Sequence, residues 1–402
     1  MIPPNGFTEE AKVPRRDWII MPLLGLLTIV LLLGSTEWMA RRTFSGSETL
    51  IADCMVLNDP STGPRAVPNC VTWEKAPESP LIEYRFNRCG HRSNLDCEWK
   101  QPGAYRIVLV GSSVALGELV QREQSFAALL PGELSQETGR NVELYNEGMG
   151  WGFPHSMSMR FNDALSARPD MVLWTLSAGD IEAASLVLQV NKNDPDPNRR
   201  SLDLLQKARF RIQEAFHSES RANVLSEVFG HTRTAAMLRY FLFKSQSHYV
   251  ASYLMGADGV AGFLKADLSA DWRRDLSQFD VDAANVIGRA RSAGVPLVAV
   301  YVPSGAQAAM ISMGQWPQGY DPFELDNEIR SIIVRHGGTY ISILPDYRNF
   351  PNPERGYYEV DSHPNPDGHA AIAHMLAREL TSGAVPELKV NSQQNDETRL
   401  QK

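Results

Sequence analysis

"YRIVLVGSSVALG", residues 105–117, is the stretch on which the fold turns. Its first half is a continuous apolar run with no alternation, bounded by a glycine, which marks a strand buried on both faces. Gly111 allows a tight turn, and Ser113 then stands at the start of a helix with its hydroxyl and its own N–H at one point. Open α/β sheets place their ligands beyond the carboxyl ends of their strands. Ser113 therefore falls where chemistry is expected, although the same serines would also serve as a plain helix cap.

Working outward from this strand, "VELYN" (142–146), "MVLWTL" (171–176), "VPLVAVYV" (295–302) and "TYISIL" (339–344) repeat its character. Helical patterns over 123–138, 155–167, 271–293, 322–336 and 366–382 separate them. Strands alternating with helices predict a parallel sheet covered on both faces, an α/β protein. The alternation stops between Ile181 and Ala270, where "LDLLQKARFRIQEAF" and "TAAMLRYFLF" predict a helical insertion over the strand ends, as a lid or partner surface. Residues 386–402 carry too little apolar surface to fold and are expected to form a disordered tail.

The other end of the chain is apolar. "WIIMPLLGLLTIVLLLG", Trp18 to Gly34, has no charge in 17 residues and extends to Ala40 if Glu37 and Trp38 sit at an interface. As a helix it reaches roughly 25–34 Å, enough for a hydrocarbon core of about 30 Å. A cleavable signal peptide would want a small-residue cleavage site, and "GSTEWMARR" offers none. An uncleaved anchor over 18–40 is the better reading, with residues 1–17 on the cytoplasmic side. Arg15 and Arg16 are flanking charges in that reading and the seed of a twin-arginine signal in its rival.

Cys54, Cys70, Cys89 and Cys97 are the only cysteines, and all lie in an irregular segment, 43–100, just after this anchor. Their spacing fits no zinc pattern. An even, local set beside an export segment predicts two disulfides in an oxidising compartment. Of three pairings, Cys54–Cys70 with Cys89–Cys97 closes the shortest loops. A net charge of −8, with no run of Lys or Arg, argues against nucleic acid as a partner.

Two more stretches carry candidate chemistry. "NEGMGWGFPH" (146–155) has Gly148, Gly150 and Gly152, but Phe153 stands where a dinucleotide loop needs its third glycine. Close backbone approach to a reacting group, with one glycine N–H aimed at it, is the better reading. Trp151 would line a substrate groove or simply pack. "VDSHPNPDGHA" (360–370) holds two aspartates and two histidines. If 361–363 is extended, Asp361 and His363 project from one side, and Pro364 favours that by keeping His363 out of the helical region. Asn365 before Pro366 starts a helix, turning Asp367 and His369 away from the pair. Four convergent metal ligands are thus not expected, and no cofactor is implied.

Together, "RIVLVGSSVALG", the glycine turn after the second strand and "DSHPNPDGHAAIA" resemble the SGNH/GDSL hydrolase superfamily, in its membrane-anchored bacterial form. The resemblance spans roughly 84–382, and the domain itself is placed at 101–385. It implies a flavodoxin-like three-layer α/β/α fold that cleaves or transfers acyl groups. Ser113 would be the nucleophile, His363 its base and Asp361 the orienter of that base. Ser113 N–H and a glycine N–H would form the oxyanion hole; the family's glycine precedes an aromatic, which selects Gly150 over Gly148. Implied, too, are an acylated carbohydrate as substrate, a polysaccharide-assembly protein as a possible partner, and a single-pass location in the bacterial inner membrane with the site outside the cytoplasm. Two residues depart from the pattern. Ser112 replaces the aspartate of G-D-S, and Gly179 replaces the asparagine of G-x-N-D, which would donate to the oxyanion. The alternative is therefore a catalytically silent scaffold that binds glycan or an assembly partner.

Overall fold

The computed structural model describes residues 16–43, 51–59, 63–95, 97–182, 234, 237, 245–255, 261–359 and 361–389. Most of the expected insertion, the N-terminal arm before Arg16 and the tail after Lys389 lie outside the described residues.

Five strands form the central sheet: β5 (Tyr105–Val110), β6 (Val142–Asn146), β7 (Met171–Leu176), β8 (Leu297–Tyr301) and β9 (Thr339–Ser342). All neighbours are parallel and the order is β6-β5-β7-β8-β9. The second strand lies outside the first and the third returns past it, so the order reverses beside β5, at the end of which Ser113 stands. Every residue of β5 and β7 is buried. Ile107, Val108, Leu109 and Val110 are fully so, and burying each such side chain stabilises the fold by about 1.5–3 kcal/mol. The continuous apolar run thus has a direct cause: both of its faces meet helices.

Those helices fall into two groups. α3 (Phe126–Thr138) packs on α9 (Pro366–Glu379), while α4 (Pro154–Ser166), α6 (Ala270–Ser292) and α8 (Glu324–Arg335) pack in succession. The result is a three-layer α/β/α fold. The short α5 (Gln246–Met255) belongs to the described end of the insertion. One helix was not expected from the sequence: α7 (Gly305–Met313). Its residues 305–311 are all buried, so it has no polar face and no 3.6-residue stripe to reveal it.

The N-terminal α1 (Asp17–Thr43) is long and apolar enough to cross a membrane, and Pro22 sits inside it. The cysteine segment is more regular than expected. It forms two antiparallel hairpins, β1 (Met55–Asp59) with β2 (Gly63–Ala66) and β3 (Val71–Glu74) with β4 (Ile82–Arg85). The disulfides are Cys54–Cys70 and Cys89–Cys97. Ile51, Cys54, Ile82, Tyr84 and Phe86 make a small core of their own, and it is completed by Leu116 and Met149 of the main domain. At the other end, the tail begins later than residue 386: Pro386–Leu388 is a 3-10 turn and Leu388 is fully buried.

Candidate active site

Three loops at the carboxyl ends of β5, β6 and β7 meet here with the turn before α9. β5 ends at Gly111, whose φ of +149° only glycine adopts easily. A Cβ there would come within 2.6 Å of Thr175 O on β7. The chain then turns into α2 (Ser113–Leu116), closed by Gly117 in the left-handed region.

His363 joins the two halves of the site. Its Nε2 lies 2.8 Å from Ser113 Oγ, and its Nδ1 lies 2.6 Å from Asp361 Oδ1. Ser113 and His363 are 250 positions apart in sequence, and with Asp361 they stand in hydrogen-bonding order. The route differs from the expected extended segment. Ser362 has φ +74°, so residues 361–363 turn sharply instead of alternating. The turn is held by Tyr358 N–H donating to His363 O, by Ser362 N–H donating to Tyr358 O, and by a bridge between Tyr357 and Pro364. Asp361 also accepts the backbone N–H of His363 at 3.2 Å. Convergence of the pair therefore comes from one residue in the left-handed region, not from strand periodicity.

The remaining members of that stretch are placed as helix starters. Asn365 Oδ1 accepts the N–H groups of Asp367 and Gly368 at 3.0 and 3.1 Å. His369 is fully buried and its Nδ1 accepts Phe126 N–H, tying α9 to α3. Burial lowers its pKa to about 3, so it stays neutral.

Charge around His363 is one-sided. Burial lowers its pKa most, yet the bond to Asp361 and the charges of Glu118, Asp361 and Glu74 lift it to about 9. Asp361 loses water by burial, but its bond to His363 holds it below the usual carboxylate range. One of these carboxylates, Glu74 on β3, comes from the cysteine segment. Glu78, which follows β3, accepts Asp361 N–H at 3.0 Å. Sequence reading missed Glu74, Glu78 and Glu118, since a lone glutamate carries no signal until the fold brings it to the site.

The glycine turn separates its three glycines by role. Gly148 packs so closely on α2 that a Cβ would lie 2.4 Å from Leu116 N, and its N–H is taken by Asn146 Oδ1 at 2.8 Å. Asn146 Nδ2 in turn donates to Ala115 O at 2.9 Å, locking this loop to the helix of Ser113. The N–H groups of Ser113 and Gly150 donate to no acceptor among the described residues. Trp151, next to Gly150, has φ +59° and is 40% exposed.

Position 179 is open. Gly179 is exposed in the first turn of a helix over 178–182, and a Cβ on it would meet only Ser177 Oγ, at 3.9 Å. Asp180 is buried and held by its neighbours. Its Oδ2 accepts the Ser177 N–H and hydroxyl, each at 2.7 Å, in the manner of a capping box. Burial raises its pKa, and the hydroxyls of Ser112 and Ser177 pull it back. Ser112 thus meets, across the turn, the carboxylate that its own position lacks.

No protein-family model matches the chain, and no curated protein matches it. Among solved structures it is similar to an α/β hydrolase, LAE5, from the metagenome of Lake Arreo, Spain, at 12% identity over 73% of this chain and 100% of that one, with a TM-score of 0.37. It is similar also to the psychrotrophic esterase EstA from Pseudoalteromonas sp., at 10% identity, 69% and 97% coverage and a TM-score of 0.37. A lipase from a goat rumen metagenome matches at 12% identity, 68% and 97% coverage and a TM-score of 0.33.

Proposed function

We propose that this chain is a membrane-anchored serine esterase or acyltransferase of SGNH type, acting on ester-linked acyl groups, acetyl foremost, of cell-surface or secreted carbohydrate. The observation that carries the reading is the order Ser113 Oγ, His363 Nε2, His363 Nδ1, Asp361 Oδ1 at 2.8 and 2.6 Å. A serine hydroxyl is a poor nucleophile at neutral pH and needs such a base. As the Ser113 Oγ–carbon bond forms, its proton passes to His363 Nε2 and the carbonyl pair moves onto oxygen, facing the N–H groups of Ser113 and Gly150. Collapse breaks the bond to the leaving alcohol, which takes the proton from His363. Water, or a sugar hydroxyl in transfer, then attacks the acyl-enzyme with His363 again as base.

Supporting a carbohydrate substrate, the site is open: the side chains of His363 and Asp361 are 24% and 32% exposed. The exposed ring of Trp151 beside Gly150 offers a face for a sugar. The disulfides favour an oxidising compartment, hence a bacterial inner-membrane protein with its site outside the cytoplasm. A reporter that works only after export, fused behind Lys402, is expected to be active; activity confined to a cytoplasmic reporter would sink this placement.

The full-length chain in detergent is expected to hydrolyse p-nitrophenyl acetate and to be labelled by a fluorophosphonate, and Ser113→Ala to abolish labelling. An unlabelled wild type, or equal labelling of both, overturns the enzyme reading. It would favour a silent scaffold that binds glycan or a polysaccharide-assembly partner, the reading that an open Gly179 supports.

The pH profile follows from His363. Its folded pKa is raised to about 9, so at lower pH it is an imidazolium and cannot take the Ser113 proton. kcat/KM should therefore climb from about pH 6 toward pH 9, since this ratio follows the free enzyme's ionisations. A profile already level at pH 7 contradicts the carboxylate cluster around the base.

A further inference from the structure

At the amino end of the sheet, opposite Ser113, the three turns that lead into β5, β6 and β7 border an open concavity of about 540 Å³. Lys100, Tyr105, Arg140, Arg168 and Asp170 are among the residues that line it. Arg140 follows Gly139, which closes α3, and Arg168 follows Ala167, which caps α4. Arg168 has φ +54° there, a left-handed position that glycine would take without strain. Neither guanidinium has a hydrogen bond or ion pair among the described residues.

Tyr105 adds a donor without a charge. It is 8% exposed, and its hydroxyl has no hydrogen-bond partner among the described residues. A buried polar group left unpaired is costly and calls for an occupant. Negative charge reaches the concavity from two residues. Asp170 is taken up by Lys100 Nζ and by Arg106 N–H, the latter at 2.7 Å. Glu387, in the C-terminal turn, acts on the phenol by its charge. Burial first, then Glu387 and Asp170, hold the phenol above its ordinary range against the pull of Arg140, so it stays an O–H donor. Cations after a last helical turn also offset the helix dipole. That accounts for the residue type, but not for two such cations sharing a hollow with an orphaned phenol.

We propose that this concavity binds a phosphate-class anion, with Arg140 and Arg168 as its charge partners, Tyr105 as a neutral donor and Lys100 shared between Asp170 and the ligand. A planar guanidinium presents paired N–H donors that match two oxygens of one phosphate. Two sources carry this chemistry: the headgroup of an anionic phospholipid, in the bilayer proposed above to hold α1, and free phosphate. Trp99, 59% exposed beside Lys100, is of the residue type that settles at headgroup level. A lipid bound here turns the amino end of the sheet to the membrane and Ser113 away from it, because β5 runs from Tyr105 toward the turn of Ser113. The site stands apart from the hydrolase reading, since its residues lie at the other end of that strand.

The test is calorimetric titration of the full-length chain in a non-ionic detergent at low salt. The probes are inorganic phosphate, dihexanoylphosphatidylglycerol and dihexanoylphosphatidylcholine. Saturable binding of the phosphatidylglycerol, of inorganic phosphate or of both is expected, with the zwitterionic phosphatidylcholine at least about tenfold weaker. Arg140→Gln with Arg168→Gln should weaken binding about tenfold or more, and Tyr105→Phe about threefold or more. Arg273→Gln with Arg274→Gln removes the same charge from an exposed helix face and should leave binding unchanged. All of these variants should hydrolyse p-nitrophenyl acetate within about twofold of wild type. Arg168→Gly, unstrained at this φ, replaces the glutamine if thermal unfolding shows that variant misfolded. A higher affinity for phosphatidylglycerol than for inorganic phosphate assigns the lipid headgroup; the reverse, or equality, assigns the free anion. No saturable binding of either anion, phosphatidylcholine binding as tightly, no loss in the Arg140 and Arg168 double variant, or an equal loss in the Arg273 and Arg274 variant overturns the proposal. A wild type that binds phosphate in this way but is not labelled by fluorophosphonate sinks the hydrolase reading alone.

Discussion

His363→Ala is expected to lower kcat for ester hydrolysis by about 10⁴–10⁶, with KM nearly unchanged. The imidazole bonds both Ser113 and Asp361, so its loss removes the base for attack and the acid for departure of the alcohol together. Asp361→Asn should cost about 10⁴ for a different reason. Asn offers an N–H to Nδ1, which drives the ring proton to Nε2 and leaves Ser113 facing a donor. Both variants should keep the wild-type circular dichroism, because the turn at Ser362 is held by backbone bonds to Tyr358. Near-wild-type kcat in either would mean that Ser113 is not activated through this histidine.

Arg92→Leu should destabilise the native chain by about 3 kcal/mol or more, read as a shift in urea midpoint. Arg92 is 1% exposed. Its guanidinium donates to Gly117 O at 2.5 Å, Val120 O at 2.8 Å, and Leu116 O and Glu83 O at 3.2 Å, and lies 4.5 Å over the Tyr84 ring. Burial lowers its pKa to about 10, which still leaves a cation at neutral pH. Leucine fills the volume but strands carbonyls that end the helix of Ser113, and a buried acceptor without a partner carries its full desolvation cost. Lysine should not rescue, since its single ammonium cannot span carbonyls that the planar fork reaches together. The loss should also slow fluorophosphonate labelling, because the same bonds hold α2 against the cysteine segment. Stability within about 0.5 kcal/mol of wild type would show that these carbonyls find water instead.

The small core around Cys54 explains why the N-terminal segment matters to the site. Leu116 and Met149 belong to it, one on the helix of Ser113 and one in the glycine turn. Tyr84 accepts Leu119 N–H at 2.8 Å, and Glu78 holds the turn of Asp361. None of this was legible beforehand. Strands such as "GPRA" and "VTWE" are four residues long and carry too few apolar positions to show a period.

What the sequence determined by itself is the class of sheet and the residue types at its ends. A run such as "RIVLV" can be stable only with both faces covered, and a glycine beside a serine at its end follows from the turn that must come next. Asn365 before Pro366 likewise announced the start of α9 through local capping chemistry alone. The tertiary structure decided which distant groups share one cleft. Strand order put β6 outside β5 and so brought the glycine turn against the helix of Ser113. A left-handed Ser362 aimed Asp361 and His363 at one another, and the hairpins delivered Glu74 to the same histidine and Glu78 to the backbone of Asp361. Local patterns reflect the cost of exposing apolar surface residue by residue. Proximity between positions 113 and 363, or 78 and 361, depends on how whole layers pack, and that leaves no periodicity in the chain to read.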